Sequence, residues 1–155
     1  MRLEKATFAA GCFWGVEHAF RQIEGVTNAT CGYTGGHNEN PTYQDVCSDQ
    51  TGHAEAVELE FDADRISYKD LVKAFWQMHD ATTPNRQGPD VGSQYRSAIY
   101  YHSPEQQATA LESRDRTQKR LLDPIVTEIV PAAKFWPAED YHQQYFEKRG
   151  IAVCH

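Results

Sequence analysis

The chain has 155 residues, 40% hydrophobic and 12% aromatic, which suits a single domain able to bury its own core. A formal net charge of -7, with no basic run beyond Lys119-Arg120, argues against a nucleic-acid or anionic-membrane surface. No stretch approaches the ~20 apolar residues of a spanning helix and Met1 to Lys5 carry no apolar leader, so a cytoplasmic monomer away from membranes is expected.

Lys5 to Ala9 reads as a first strand, and Phe13, Val16, Phe20 and Ile23 then recur at helical spacing up to a stop at Gly25. Val26 to Tyr33 reads as a second strand. The segment from Gly32 to Pro41 is a glycine-rich loop, and Ala54 to Phe61 alternates as a third strand. Ser67 caps a helix running through Leu71, Val72, Phe75 and His79, and a polar loop with Pro84, Gly88, Pro89 and Gly92 leads to a fourth strand from Arg96 to Tyr101. The order βαββαβ predicts an α+β, two-layer sandwich with a ferredoxin-like core and a mainly antiparallel sheet. Ser103-Pro104-Glu105-Gln106 starts a further helix, Ile125 to Val130 reads as a further strand, and Pro137 opens a last helix to about Arg149. The whole chain, 1–155, is expected to form one catalytic domain, with 150–155 a mobile tail.

Gly11-Cys12-Phe13-Trp14-Gly15 sets a cysteine where strand gives way to helix. Unpaired N–H groups and the positive dipole end favour a thiolate there, which makes Cys12 a candidate nucleophile; the plain alternative is a small buried hydrophobe. Phe13 and Trp14 give it an aromatic surround suited to an uncharged, partly apolar substrate. In the third strand Glu55 falls in phase with Val57, Leu59 and Phe61, whereas Glu58 and Glu60 take the opposite parity. A carboxyl pointed at the core stays protonated and can act as a general acid; a strand that begins at Ala56 would leave Glu55 at the rim instead. Tyr43 and Tyr95 stand at loop edges where a phenol could donate to a ligand oxygen. Asp90 could hold a water or a tyrosine, or close a turn. His53-Ala54-Glu55 matches the H-x-E of zinc deaminases, but no P-C-x-x-C follows, so His53 reads as structural. Four cysteines without a C-x-x-C pair fit neither a zinc ribbon nor a disulfide scaffold, and no metal is expected.

Taken together, Gly11-Cys12-Phe13-Trp14-Gly15, Gly32-Tyr33-Thr34-Gly35-Gly36, Asn40-Pro41-Thr42-Tyr43, Gly52-His53-Ala54-Glu55-Ala56-Val57, Gln94 to Tyr100 and Glu139-Asp140-Tyr141-His142-Gln143-Gln144-Tyr145 resemble the peptide-methionine (S)-S-oxide reductases. The resemblance implies that Cys12 attacks the sulfoxide sulfur and that Glu55 protonates its oxygen. It implies that Tyr43 and Tyr95 bind that oxygen, that Phe13 and Trp14 hold the methyl group, and that Asp90 organises the surroundings. Substrates would be free methionine sulfoxide or oxidised proteins, and Cys12 would be left as a sulfenic acid. By the same resemblance Cys154 in the short tail is the resolving thiol, with Cys31 and Cys47 as alternatives held rigid at a strand or its edge. The resulting disulfide would need thioredoxin or another external dithiol, with no bound cofactor. The rival chemistry is a cysteine acyl-transfer or hydrolytic enzyme that uses His53 as base.

Overall fold

Alternating side chains in β1 (Leu3–Ala10) set Ala6, Phe8 and Ala10 toward one face of a sheet, and the computed structural model, which describes residues 2–48 and 50–149, covers that face with helices. Helix α1 (Phe13–Arg21) follows, then β2 (Val26–Thr34), the short α2 (Tyr43–Cys47), β3 (Ala54–Asp62) and α3 (Tyr68–Gln77). Two-residue strands β4 (Arg86–Gln87) and β5 (Asp90–Val91) form a small separate hairpin, and a 3-10 turn (Ser93–Tyr95) enters β6 (Ser97–Tyr101). Helix α4 (Pro104–Gln118), β7 (Glu128–Pro131), β8 (Trp136–Pro137), a second 3-10 turn (Asp140–His142) and α5 (Tyr145–Arg149) complete the order.

The main sheet runs β7-β6-β1-β3-β2-β8. Every pairing in it is antiparallel except β6 with β7. Between helices and sheet, Phe8 stacks on Phe20 and Phe75 at 5.1 and 5.3 Å, and Val57, Leu59, Phe61, Leu71, Val72 and Ile99 fill the remaining core. The opposite face carries a smaller cluster of Ala9, Ala54, Ala56, Ala98 and Tyr100 against Val130, Ala132 and Phe135. Glycine is required at position 32, because a Cβ there would lie 2.3 Å from the Phe135 ring.

Helix starts follow local chemistry. Ser67 accepts from the Asp70 N–H at 3.1 Å and Ser103 from the Gln106 N–H at 3.2 Å. Gln106 reaches past its cap to accept from His102 N and to donate to Lys5 O, which fastens the start of α4 to β1. Helix α2, an element the sequence reading did not include, is capped by a full Thr42–Asp45 capping box. One expectation is corrected. The segment from Pro137 is not one helix: it forms β8, the 3-10 turn, a left-handed Gln144 at φ 53° and only then α5, because the Gln143 side chain bonds outward to β2 and the Gln144 N–H to Glu17 of α1.

Candidate active site

The turn from β1 into α1 is made by Gly11 at φ 98°, where a Cβ would meet the Gln87 side chain at 2.9 Å. That turn makes Cys12 the N-cap of α1, half-buried, with the N–H groups of Trp14 and Gly15 directed at its sulfur. One residue on, the Phe13 N–H donates to Glu55 Oε1 at 3.3 Å. Helix start and β3 therefore hold the thiol and the carboxyl beside one another.

Glu55 is the second residue of β3, opposite Tyr33 of β2, and is 1% exposed. Its Oε2 has no hydrogen-bond partner among the described residues. Burial raises its pKa, the Phe13 N–H pulls it back, and the charge of Asp90 raises it again, to about 8 overall. A group with that value carries its proton at neutral pH. Glu58 and Glu60 are half-buried and exposed, as their parity requires.

The thiolate expected from the helix dipole alone is not what the whole site produces. Burial pushes the Cys12 thiol up first, the Glu55 carboxylate second and Asp90 further, and the two backbone N–H groups only partly oppose this, leaving a pKa of about 12. The resting pair is thus a neutral thiol beside a neutral carboxyl. Protonation of Glu55 removes one of the charges that oppose thiolate formation, so acid and nucleophile support one another.

Tyr43 opens α2, and its backbone N–H donates to Glu139 Oε2 at 2.9 Å. Burial raises the phenol pKa, and the neighbouring Cys47 thiol and the charge of Glu55 raise it further. Cys47 ends α2 and is exposed, which corrects its assignment to a rigid strand edge; Cys31 is buried in β2. Tyr95 closes the 3-10 turn, and its pKa is raised to about 12 by burial, then by Glu55, Cys47, Asp90 and Cys12 in turn. Six groups from five elements therefore act on one small volume. Asp90 in β5 places its charge on Cys12, Glu55 and Tyr95. Arg96 ties this corner together by donating to Ser93 O, Gly52 O and Glu128 Oε1.

His53 accepts from the Gly36 N–H at its Nδ1 and contacts Asn38 O with Nε2 at 2.6 Å. Both ring nitrogens hold the glycine-rich loop, a structural use that leaves neither lone pair for a base. Among the described residues no group of three or more His, Cys, Asp or Glu could hold a metal ion, and no helix is long and apolar enough to cross a membrane. Cys154 and the tail 150–155 lie outside the described residues.

Sequence reasoning assigned nothing to Glu139 or His142, yet both reach the site. Glu139 accepts from the Tyr33 hydroxyl and from the Tyr43 N–H, each at 2.9 Å, and these bonds hold its pKa down against burial. His142 is fully buried among Phe13, Trp14 and Tyr43 and accepts from Trp14 Nε1 at 2.8 Å. The signal that was present is that Glu139 to Tyr145 stands among the motifs carrying the family resemblance.

A thiol beside a protonated carboxyl, walled by aromatics and ringed by two phenols, defines a thiol-based redox or acyl-transfer site. The family described as peptide methionine sulfoxide reductase matches residues 4–155. The chain is 62% identical over 151 residues to the peptide methionine sulfoxide reductase MsrA of Methanosarcina acetivorans, spanning 96% of this chain and 80% of that one. It is 59% identical over 155 residues to the MsrA of Acidobacterium capsulatum, covering 99% of each. Its fold matches the reduced form of Mxr1 from Saccharomyces cerevisiae with a TM-score of 0.93 at 32% identity, over 99% of this chain and 90% of that chain. The same yeast protein in complex with Trx2 matches with a TM-score of 0.68 at 24% identity, over 93% of this chain and 85% of that chain. The chain belongs to the peptide methionine sulfoxide reductase family of oxidoreductases. Nothing in these matches supports the acyl-transfer alternative.

Proposed function

We propose that the protein reduces methionine-S-sulfoxide, free or in oxidised proteins, with Cys12 as nucleophile and Glu55 as proton donor. The observation that carries this reading is the buried, protonated Glu55 bonded to the same helix start that presents Cys12. A sulfoxide oxygen is a strong acceptor and a poor leaving group, so attack at sulfur needs a proton delivered to that oxygen. Glu55 supplies it, and Tyr95 and Tyr43 donate to the same oxygen. Phe13 and Trp14 hold the methyl group, and Asp90 keeps Glu55 protonated by its own charge.

In balance, Cys12–SH and R2S=O become Cys12–SOH and R2S. The substrate S–O bond breaks and an S–O bond to Cys12 forms; the substrate sulfur gains two electrons and Cys12 loses two, while the thiol proton restores Glu55. A second thiol then condenses with the sulfenic acid, releasing water and leaving a disulfide. Cys154 is our choice for that thiol. Cys47 is its rival, because it is exposed and already shares Tyr43 with the site, whereas Cys31 is buried. An external dithiol reduces the disulfide, and the yeast relative's complex with Trx2 supports thioredoxin in that role. No bound cofactor is needed for this cycle. The reading includes one catalytic domain with a short C-terminal tail, a cytoplasmic monomer, and a ferredoxin-like core, which the antiparallel run β6-β1-β3-β2 supports.

The deciding experiment is a single turnover of pre-reduced protein on each pure epimer of a blocked methionine sulfoxide, counting methionine released and thiols lost. Release from the S epimer alone, with about two thiols consumed per turnover, is expected. Release from neither epimer ends the reading. Cys154→Ser should still release about one methionine per protein yet stall with thioredoxin; full recycling in that variant, abolished by adding Cys47→Ser, would move the resolving role to Cys47.

A further inference from the structure

Helices α3 and α4 face one another across a trough of about 480 Å³ whose walls are cationic. Helix α3 contributes Lys69 and Lys73, and the end of α4 contributes Arg116 and Arg120. Each pair stands four residues apart, the spacing at which like charges on a helix repel. Lys69 also falls in the first turn of α3, where the helix dipole disfavours a cation. Asp70 and Glu112 are the carboxylates beside these charges, and Glu112 is already taken by Arg116. Among the described residues Lys69, Lys73 and Arg120 have no ion pair, in a chain whose formal net charge is -7. Packing gains nothing from this concentration of like charge, and an anionic occupant relieves it.

The floor between the cations is apolar. Trp76 crosses from α3 to α4, its Nε1–H donating to Ser113 Oγ at 2.9 Å, and Leu121 borders the trough at 39% exposure with Leu122 fully exposed beyond it. A small hydrophilic anion would leave that floor in water, and an apolar ligand would leave the cations unused. Past Trp76, Thr117 and Leu121 the trough continues to His79, Asp80 and Ala81. There it reaches the catalytic end of the sheet. His79 Nε2 lies 2.7 Å from Ser97 Oγ, Ser97 pairs with Ala10 of β1, and Gln87, which accepts from the Asp80 N–H, packs against Gly11. Asp80 and Asp123 border this near half, so an acidic segment is held in the far half and a neutral stretch suits the near one. An elongated trough that runs toward Cys12 without enclosing a compact volume fits an extended polypeptide.

We propose that the trough between α3 and α4 docks an acidic, leucine-bearing segment of an oxidised polypeptide substrate, joined by a neutral stretch to the methionine sulfoxide at Cys12. The inference rests on the sulfoxide-reductase reading and names its substrate class. Holding a second segment of the same chain raises the local concentration of sulfoxide at the site, so it lowers half-saturation and leaves the chemical step alone. Free methionine sulfoxide gains nothing from it.

The test uses the pre-reduced full chain in single turnovers on blocked peptides. Each peptide holds one methionine-S-sulfoxide, a Gly-Ser spacer of about four to twelve residues spanning roughly 11–19 Å, and either Glu-Leu-Glu-Glu-Leu-Glu or the same segment with Gln for Glu, in both chain orders. In wild type at low ionic strength the best acidic peptide should half-saturate at a concentration roughly five- to thirtyfold below its Gln counterpart, with saturating rates within about twofold. About 0.5 M salt should shrink that gap below about twofold. Lys73→Glu/Arg120→Glu should abolish the gap yet reduce blocked methionine sulfoxide itself as wild type does. The charge-matched Arg2→Glu/Arg65→Glu, at the opposite end of β1 and β3, should keep it. Equal half-saturation of the two peptides in wild type, a gap that survives Lys73→Glu/Arg120→Glu, or an equal loss in both double variants would each overturn the proposal. A second measurement is independent of activity: the labelled acidic peptide carrying methionine in place of the sulfoxide should bind wild type, by fluorescence anisotropy, roughly five- to thirtyfold more tightly than Lys73→Glu/Arg120→Glu. Displacement of that peptide by an equal concentration of inorganic phosphate would reduce the trough to a simple anion site. A wild-type dimer in sedimentation that Lys73→Glu/Arg120→Glu dissolves would make it a contact between copies of the chain, and either result overturns the proposal. Failure of wild type to reduce the blocked sulfoxide would instead strike the underlying reading, and the unoxidised peptide would still decide what the trough holds.

Discussion

Glu17 and Glu55 are both almost wholly buried, each beside a cysteine, and the protein treats the two pairs oppositely. Glu17, in the middle of α1, is given a cation and a backbone donor: Arg21 Nε lies 3.5 Å away and Gln144 N donates at 2.7 Å. The Cys31 thiol donates to the Phe13 carbonyl at 3.5 Å, and burial together with the Glu17 carboxyl pushes the Cys31 pKa far up, so this thiol is a packed, inert core group. Glu55, at the start of β3, receives one N–H from Phe13 and the negative charge of Asp90. A buried carboxyl paired with a cation is a structural tie; one set beside another negative charge holds its proton instead and can deliver it. The same residue pair, Cys with Glu, is thereby a fastening in one place and a reactive site in the other.

The largest expected effect breaks the reactive pair. Glu55→Gln should slow the reductive step about 10²- to 10⁴-fold in single turnovers below pH 8, the range that general-acid catalysis supplies. In wild type the advantage should be complete below the carboxyl's pKa of about 8 and fall as pH rises through it. The descending limb should be absent in the variant. A wild-type rate that rises steadily through pH 8 to 9 would mean that thiolate formation at Cys12, not proton delivery by Glu55, limits the step.

Next comes the structural pair. Glu17→Leu removes the partner of Arg21, which is largely buried, and the acceptor of Gln144 N, and should lower unfolding free energy by about 2–4 kcal/mol in urea titrations under reducing conditions. Its single-turnover yield per folded protein should stay near wild type. A loss of yield without a loss of stability would show that Glu17 also belongs to the reaction.

Of the two carboxyls only Glu55 was legible in sequence. Alternation along β3 pointed Glu55 inward, and Gly11-Cys12 marked the strand-to-helix turn, because each depends on neighbours within a few residues. The state of Cys12 was not legible: the dipole of its own helix is local, but the burial and the Glu55 and Asp90 charges that outweigh it arrive from β3 and β5. The last segment was misread for the same reason. Pro137 locally suits a helix start, yet Gln143 completes hydrogen bonds on the edge of β2 and Gln144 adopts φ 53° to reach Glu17, contacts separated by more than a hundred residues. Thr42-Tyr43-Gln44-Asp45 was readable as a capping box and marks α2, which brings Tyr43 and Cys47 to the site.

The smallest effect separates the cost of Glu55 from its use. In the unfolded chain its pKa lies near 4.5, and in the folded protein near 8, so between those values the native state binds more protons than the unfolded one. Stability contributed by this site is therefore fully present below about pH 4.5 and is lost as pH rises toward 8, where the carboxylate must be held buried beside Asp90. Glu55→Gln keeps an acceptor for the Phe13 N–H and removes the titration. The variant should thus gain on wild type with rising pH, by roughly 1–3 kcal/mol between pH 5 and pH 8, a value set below the full linkage because relaxation softens burial. Urea unfolding of both proteins at the two pH values reads this directly, since every other titrating group is common to the pair and cancels in the difference. Parallel stabilities would mean that Glu55 is ionised in the resting protein at no penalty, and the contrast with Glu17 would collapse into two structural carboxylates. A gain in stability matched to a loss of turnover would instead identify Glu55 as a strained group retained for the proton it delivers.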